Sequence, residues 1–476
     1  MAIGNKVLFS LSNMMRTFEV LLISIFLSRF IQNKNQLGEL LQVIFVSSVM
    51  ITIISGFPLA MNFFYGKYAD DSRKDSLFGK FLFSICAISF CLCLLIFIFR
   101  TRLGESFQNV IFENHIFIIL MFLFVKSLNT IFPNYHYLRN KLGKYLLLYT
   151  LTTTVLIVLF CYDYYVLGFS NSIILLQLFV VEMLRLLINI FIVNRREMRY
   201  KGFFFDRTEF IYIGSISLGV LLGAFNLYVD KYLIAVLLDP TQFVFYQNGA
   251  INLPFVNIIT SSLFIASIPI FAELYSKGKF LELIHETKLT ILKCSLFLLP
   301  ILVYCFFEAV PLIKILYGDD FEASGEVFQI YILRYILSVM AFSVFMGSIG
   351  LEKKSNLIIL VSSIIGLVLN SILIPIYGIN GASWAIVIAS LSTIFISLYL
   401  IGKQLITNIY DFFPVKNYLG IIFISIIFYI PFYFLNNNIS YNWIVLLSSL
   451  IYYFIVLWIL NYHFKIVDFR RILNKK

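Results

Sequence analysis

The chain has 476 residues, of which 61% are hydrophobic, 18% aromatic and only 13% charged. With a mean hydropathy of +0.92, that balance excludes a soluble domain and implies an all-α polytopic membrane protein, because lipid demands that each spanning segment pair its own backbone groups. The formal charge of +11 would suit nucleic acid or anionic partners, so its placement has to decide between them.

Apolar runs predict fourteen spans, roughly 8–31, 38–64, 77–99, 115–133, 145–168, 171–194, 209–236, 242–271, 289–310, 324–349, 356–376, 381–402, 417–435 and 441–463. Each reaches the roughly 20 residues needed to cross a hydrocarbon layer as a helix. No small-residue cleavage site follows a short apolar segment at the start, so no removable signal peptide is expected. If the N-terminus is cytoplasmic, the inside loops hold 25 of the 36 basic residues and the outside loops hold 5 (Arg29, Lys34, Arg100, Arg102 and Lys314). This asymmetry follows the positive-inside rule and places both termini in the cytoplasm. Most of the net charge therefore sets topology, and nucleic-acid binding is not indicated.

The basic, aromatic stretch 195–208 reads as a cytoplasmic linker. It separates an N-terminal six-helix bundle, 1–194, from a second six-helix bundle, 209–404. Residues 405–476 supply two further spans and a basic cytoplasmic tail. A plan of two comparable bundles suits an alternating-access transporter. A second long link, Ala272–Lys288, is amphipathic and expected to lie on the membrane surface. Near the far end, Leu357–Ile376 and Gly381–Ile401 flank the turn Tyr377-Gly378-Ile379-Asn380 and predict a transmembrane hairpin. Asn370 and Pro375 sit inside its first helix. Gly381-Ala382-Ser383 opens the second, where small residues let helices approach closely.

Six basic residues fall within spans: Arg16, Lys126, Arg185, Lys231, Lys293 and Arg334. Lys293 is near a span end and can snorkel. A charge at bilayer depth costs about 2.5 to 10 kcal/mol or more, so the others mark a candidate pathway. Arg16 and Glu19 are three residues apart, as are Glu182 and Arg185, so each pair shares a helix face. They can be self-neutralising pairs that hold the first bundle together. They can equally line a watery lumen where guanidinium forks meet an anion. Lys126 and Arg334 have no acid within a helical turn, and the buried set is net positive, which favours an anionic cargo. Asp230 and Lys231 adjoin on opposite faces of one helix; with Glu19 and Glu182, Asp230 is a candidate proton or sodium coupling site. The four histidines (His115, His136, His285 and His463) lie near span ends without metal spacing and read as interfacial, while the six cysteines read as small hydrophobes. No catalytic residue, metal site or cofactor is expected, and no Gly-rich phosphate loop is present. Asp319-Asp320 would suit a metal-dependent transferase, but it sits in a short outer loop, away from nucleotide-sugar donors.

Several motifs resemble the polysaccharide transporter family, the O-antigen flippases within the multidrug/oligosaccharidyl-lipid/polysaccharide exporter superfamily. They are Asn370…Pro375…Gly378-Ile379-Asn380-Gly381-Ala382, then Asn226…Asp230-Lys231 followed by Tyr246…Ala250…Pro254, and Leu316-Tyr317-Gly318…Phe321…Ser324. Val244-Phe245 departs from the family's usual Gly-hydrophobe. The resemblance implies a flippase that moves an undecaprenyl-pyrophosphate-linked oligosaccharide across a bacterial inner membrane, with lumen cations at Arg16, Lys126, Arg185, Lys231 and Arg334. It implies lipid-linked oligosaccharide and membrane lipids as partners, with the pathway's polymerase and chain-length proteins alongside. A drug or cation exporter of the same superfamily is the alternative on fold, and it would be expected to carry acids rather than a positive excess. A membrane-embedded polysaccharide polymerase or ligase is the alternative from another class; it would need a larger outer loop than Arg100–Asn114.

Overall fold

A computed structural model describes residues 2–68, 71–168, 170–193, 205–337, 339–407, 409–437 and 442–464. All regular structure among them is helical, and eleven of these helices are long and apolar enough to cross a membrane. The chain is a multi-pass membrane protein. Most of the expected linker (195–204 of 195–208) and the basic tail (465–476) lie outside the described residues.

The chain divides into two compact units, Met1–Val244 and Phe245–Lys476. The first holds α1 (Ala2–Phe30), α2 (Lys34–Ile54), α3 (Gly56–Lys67), α4 (Asp71–Ile98), α5 (Arg100–Phe107), α6 (Ile111–Asn114), α7 (Ile116–Leu128), α8 (Phe132–Leu138), α9 (Leu142–Tyr162), α10 (Asn171–Ile192) and α11 (Arg207–Leu237). Helix α12 (Pro240–Gly249) runs across the division. The second holds α13 (Pro254–Ser276), α14 (Phe280–Phe307), α15 (Ala309–Tyr317), α16 (Glu322–Leu337), α17 (Phe342–Ser348), α18 (Glu352–Leu405), α19 (Ile409–Phe412), α20 (Val415–Asn437) and α21 (Asn442–Phe464).

In the first unit α7 packs on α4, α10 and α2, while α9 joins α1 to α10. Helix α11, expected to open the second bundle, packs here on α2 and α3. Small residues make that approach possible. A Cβ on Gly56 would sit 2.4 Å from Ser217 Oγ of α11, and at the start of α12 one on Gly38 would sit 2.1 Å from the Pro240 carbonyl oxygen. The start of α11 is tied down by charge: Glu209 accepts from Tyr68 at 2.5 Å, from Lys80 at 2.5 Å and from the Asp206 backbone N–H at 2.8 Å. The last contact completes a capping box that satisfies an otherwise orphaned helix-end donor.

In the second unit α14 is the central helix, against α13, α16, α20 and α21. Helix α18 breaks at Gly378, whose φ of 57° and ψ of −137° belong to a region that glycine tolerates and other residues resist. The two arms run antiparallel: Ser362 donates to the Ala389 carbonyl at 3.0 Å and Thr393 donates to Ser362 at 2.7 Å. The predicted hairpin is therefore present. In the segment Ala272–Lys288, Gly278 at φ +68° reverses the chain, so 272–276 finishes α13 and 280–288 begins α14.

Candidate functional site

The charged residues of the first unit gather around Arg185 on α10. Its Nε donates to Thr152 at 2.8 Å. One terminal nitrogen donates to Glu182 at 3.1 Å and to Glu19 at 3.2 Å, and the other donates to Glu19 and to Thr153 at 2.9 Å. All five guanidinium N–H groups are thus committed to protein. The guanidinium carbon also lies 4.2 Å from the Tyr149 ring centroid, a cation–π contact from below. Tyr149 in turn donates its hydroxyl to Glu19, so α9 holds both members of the pair.

The Glu182–Arg185 pair forms as its three-residue spacing predicts. Glu19 does not turn back to Arg16 on its own helix; it pairs across to Arg185. The physical reason is saturation: Arg185, 3% exposed, needs acceptors for every donor, and Glu182 alone supplies too few. The second Glu182 oxygen accepts from Asn129 at 2.7 Å.

Arg16, Lys126, Glu182, Arg185 and Tyr145 line a cavity of about 40 Å³. Lys126 donates to Ser47 on α2 at 3.2 Å and stands 4.9 Å from the Phe122 ring centroid. Among the described residues neither Arg16 nor Lys126 forms an ion pair, so the cluster of three cations and two carboxylates keeps a positive excess beside the cavity. At about 10–15 Å³ per water the space holds roughly three molecules.

The remaining expected site residues lie elsewhere. Asp230 and Lys231 on α11 are buried, at 1% and 6% exposure, outside this cavity's lining. Arg334 belongs to the second unit; it donates to the Tyr331 hydroxyl at 2.7 Å and stands 4.8 and 4.9 Å from the rings of Tyr331 and Tyr335. Both tyrosines donate to Asn252 Oδ1, at 3.2 and 3.3 Å. In the hairpin, Asn370 is fully buried and donates to the Gly366 carbonyl at 2.8 Å. A Cβ on Gly381 would meet the Leu373 carbonyl oxygen at 2.1 Å, and Pro375 lies inside the helix just before the turn.

Two features escaped the sequence reading. His136 is not interfacial: it is 0% exposed and bonds Asn189 Oδ1 at 2.9 Å, while Asn189 donates to the Arg185 carbonyl at 2.8 Å. A histidine amid Pro133, Asn134 and Tyr135 looks like span-end material until α8 is seen to turn inward. A second polar core joins α2 to the loop after α5: Asn109 donates to Gln42 at 2.8 Å and to the Glu39 carbonyl at 2.9 Å. Its signal was Glu39 and Gln42, one turn apart in an apolar run.

Among solved structures, the lipid II flippase MurJ in an inward closed conformation is similar over 98% of this chain and 100% of that one, with TM-score 0.70 and 15% identity. An inward-facing multidrug resistance transporter of the MATE family, in the MOP superfamily, is similar over 82% of this chain and 95% of that one, with TM-score 0.65 and 15% identity. A MOP superfamily transporter from Pyrococcus furiosus, described as having a binding pocket of reversed polarity, is similar over 84% of this chain and 94% of its own, with TM-score 0.54 and 12% identity. These likenesses are of fold. No curated protein sequence matches the chain. The profile of the polysaccharide biosynthesis protein family matches residues 26–326, more than half of the chain. The chain belongs to the polysaccharide biosynthesis protein family.

Proposed function

We propose that the protein is a flippase for an undecaprenyl-pyrophosphate-linked oligosaccharide, an O-antigen or similar repeat unit, carried from the cytoplasmic to the periplasmic leaflet of a bacterial inner membrane by alternating access. Both termini are cytoplasmic in this reading, and the product passes to the polymerase and chain-length proteins of the same pathway. Family membership supports a role in polysaccharide assembly, and the fold is one that transporters use.

The observation that carries the reading is the pair Arg16 and Lys126, two cations on one small cavity with no ion pair among the described residues. A diphosphate supplies the anionic oxygens that these two cations lack. Arg185 has a different part. With every donor engaged it fixes the cavity wall and contributes field rather than contacts, until a cargo anion competes with Glu19 for its guanidinium. A cavity of about 40 Å³ accepts water but not a glycan, so loading requires this site to widen. Glu19 and Glu182, which share Arg185, are the groups through which a proton or sodium ion would couple to that widening, and Asp230 is a further coupling candidate. Lys231 and Arg334 are the remaining cations proposed to face cargo.

The test is surface glycan display in a strain dependent on this chain. Arg16→Ala and Lys126→Ala should abolish display while the protein remains in the membrane at normal abundance. Normal display in both variants would contradict the reading.

A further inference from the structure

Two open hollows lie side by side on the second unit, of about 1420 and 560 Å³. His285 and Lys288, in the second and third turns of α14, form the ridge between them and line both. Lys403, at the end of α18, faces the larger hollow, and Lys416, at the start of α20, faces the smaller. Helix α14 begins where α18 finishes and α20 starts, and in each case the basic residue stands at the edge of the apolar run. All three lysines are therefore at the depth where a lipid layer meets water.

Among the described residues none of Lys288, Lys403 and Lys416 forms an ion pair, and Asp411 is the one carboxylate in the lining of either hollow. The surroundings are apolar and exposed: Leu281 is 85% exposed, Tyr399 62% and Ile406 89%. Ile406 has φ +52° at the end of α18. A β-branched residue is a genuine outlier there, where glycine or asparagine is the ordinary choice. Such strain persists when the surroundings or a function require that side chain. Here it thrusts a sec-butyl group outward beside Lys403. Ammonium groups over apolar prongs at headgroup depth match a phosphate with acyl chains attached, and basic pockets between helix ends at the cytoplasmic face bind anionic headgroups.

We propose that these hollows are binding sites for anionic phospholipid, one phosphate in each, gripped between Lys288 and either Lys403 or Lys416, with the acyl chains of the lipid in the larger hollow lying on Leu281, Tyr399 and Ile406. The sites share no residue with the cavity lined by Arg16 and Lys126. They rest on membrane embedding alone, so they stand or fall separately from the cargo assignment.

The experiment is native mass spectrometry of the full-length protein released from nanodiscs of phosphatidylcholine, with and without phosphatidylglycerol. The wild type should retain two phosphatidylglycerol molecules, and the K288Q/K403Q/K416Q variant none. Neither should retain phosphatidylcholine, and inorganic diphosphate should displace nothing. A second variant, Ile406→Gly, removes the strain as well as the prong; it should raise Tm in detergent yet lose phosphatidylglycerol from the larger hollow. Equal retention of phosphatidylglycerol by wild type and triple variant would overturn the proposal. So would equal retention of phosphatidylcholine, or displacement of phosphatidylglycerol by a short-chain polyprenyl diphosphate, which would make the hollows part of a cargo path.

Discussion

Arg185 and Glu19 lie 166 positions apart in the chain and share two hydrogen bonds, both inside the first unit. Breaking a buried charge pair by removing one member costs about 3–5 kcal/mol, because the other charge is left uncompensated. Arg185→Met strands Glu19 and Glu182 together, so it should lower Tm in detergent and cut the amount of folded protein. Arg185→Lys keeps the charge but cannot supply five donors in a fork, and should fall between the two. The measurement is thermal unfolding of purified protein, set beside abundance in the membrane.

Arg16 and Lys126 should behave in the opposite way. Among the described residues neither forms an ion pair, so Arg16→Ala and Lys126→Ala strand no buried carboxylate and should leave Tm closer to wild type than Arg185→Met does. If the proposed diphosphate cargo is bound here, each variant loses a charge-assisted contact worth about 1.5–3 kcal/mol, which corresponds to roughly a 10- to 100-fold loss of affinity for that lipid. Ligand binding measured on both variants in nanodiscs, alongside Tm, separates them from Arg185.

At the start of α11, Glu209→Ala removes acceptors from Tyr68, Lys80 and the Asp206 backbone at once. Hydrogen bonds to a charged group are worth about 1.5–3 kcal/mol net, so unfolding should shift down measurably. Lys80→Met should give a smaller shift, because Glu209 keeps two donors. Hydrogen exchange over 205–215 should rise in the first variant more than in the second.

The α18 hairpin offers a paired control. A Cβ on Gly381 would collide with the Leu373 carbonyl at 2.1 Å, whereas one on Gly366 would touch Ala389 Cβ at an ordinary 3.7 Å. Gly381→Ala should destabilise by about 1–3 kcal/mol through overpacking. Gly366→Ala should be neutral or stabilising by up to about 1 kcal/mol, from helix propensity. Thermal unfolding of the two single variants decides it.

Much of the fold was legible because lipid writes its demands in simple terms. Runs of apolar residues place helices, and Gly378 with Gly381 marks a reversal that only small residues can make. Charge pairing was less legible. The spacing of Glu182 and Arg185 announces a pair, but Glu19 and Arg16 have the same spacing and do not form one. Which acid an arginine takes depends on hydroxyls contributed by a neighbouring helix, and Thr152, Thr153 and Tyr149 of α9 carry no such message in the sequence. The same limit hid Glu209 and Lys80, whose contact joins helices 129 positions apart. His136 looked like border material for the same reason, since its partner Asn189 is 53 positions away. The packing of α11 in the first unit was not legible either, because the close approach of Gly56 to Ser217 and the bonds of Glu209 to Tyr68 and Lys80 make it, and loop charge registers neither.

The most direct measurement is translocation of a fluorescent undecaprenyl-diphosphate oligosaccharide in proteoliposomes, read by quencher accessibility across the bilayer. Wild-type protein should move the lipid, and Arg16→Ala and Lys126→Ala should fall to the rate of empty liposomes while keeping wild-type Tm. Translocation at the wild-type rate by the Arg16→Ala/Lys126→Ala double variant would contradict the claim that these two cations grip the diphosphate.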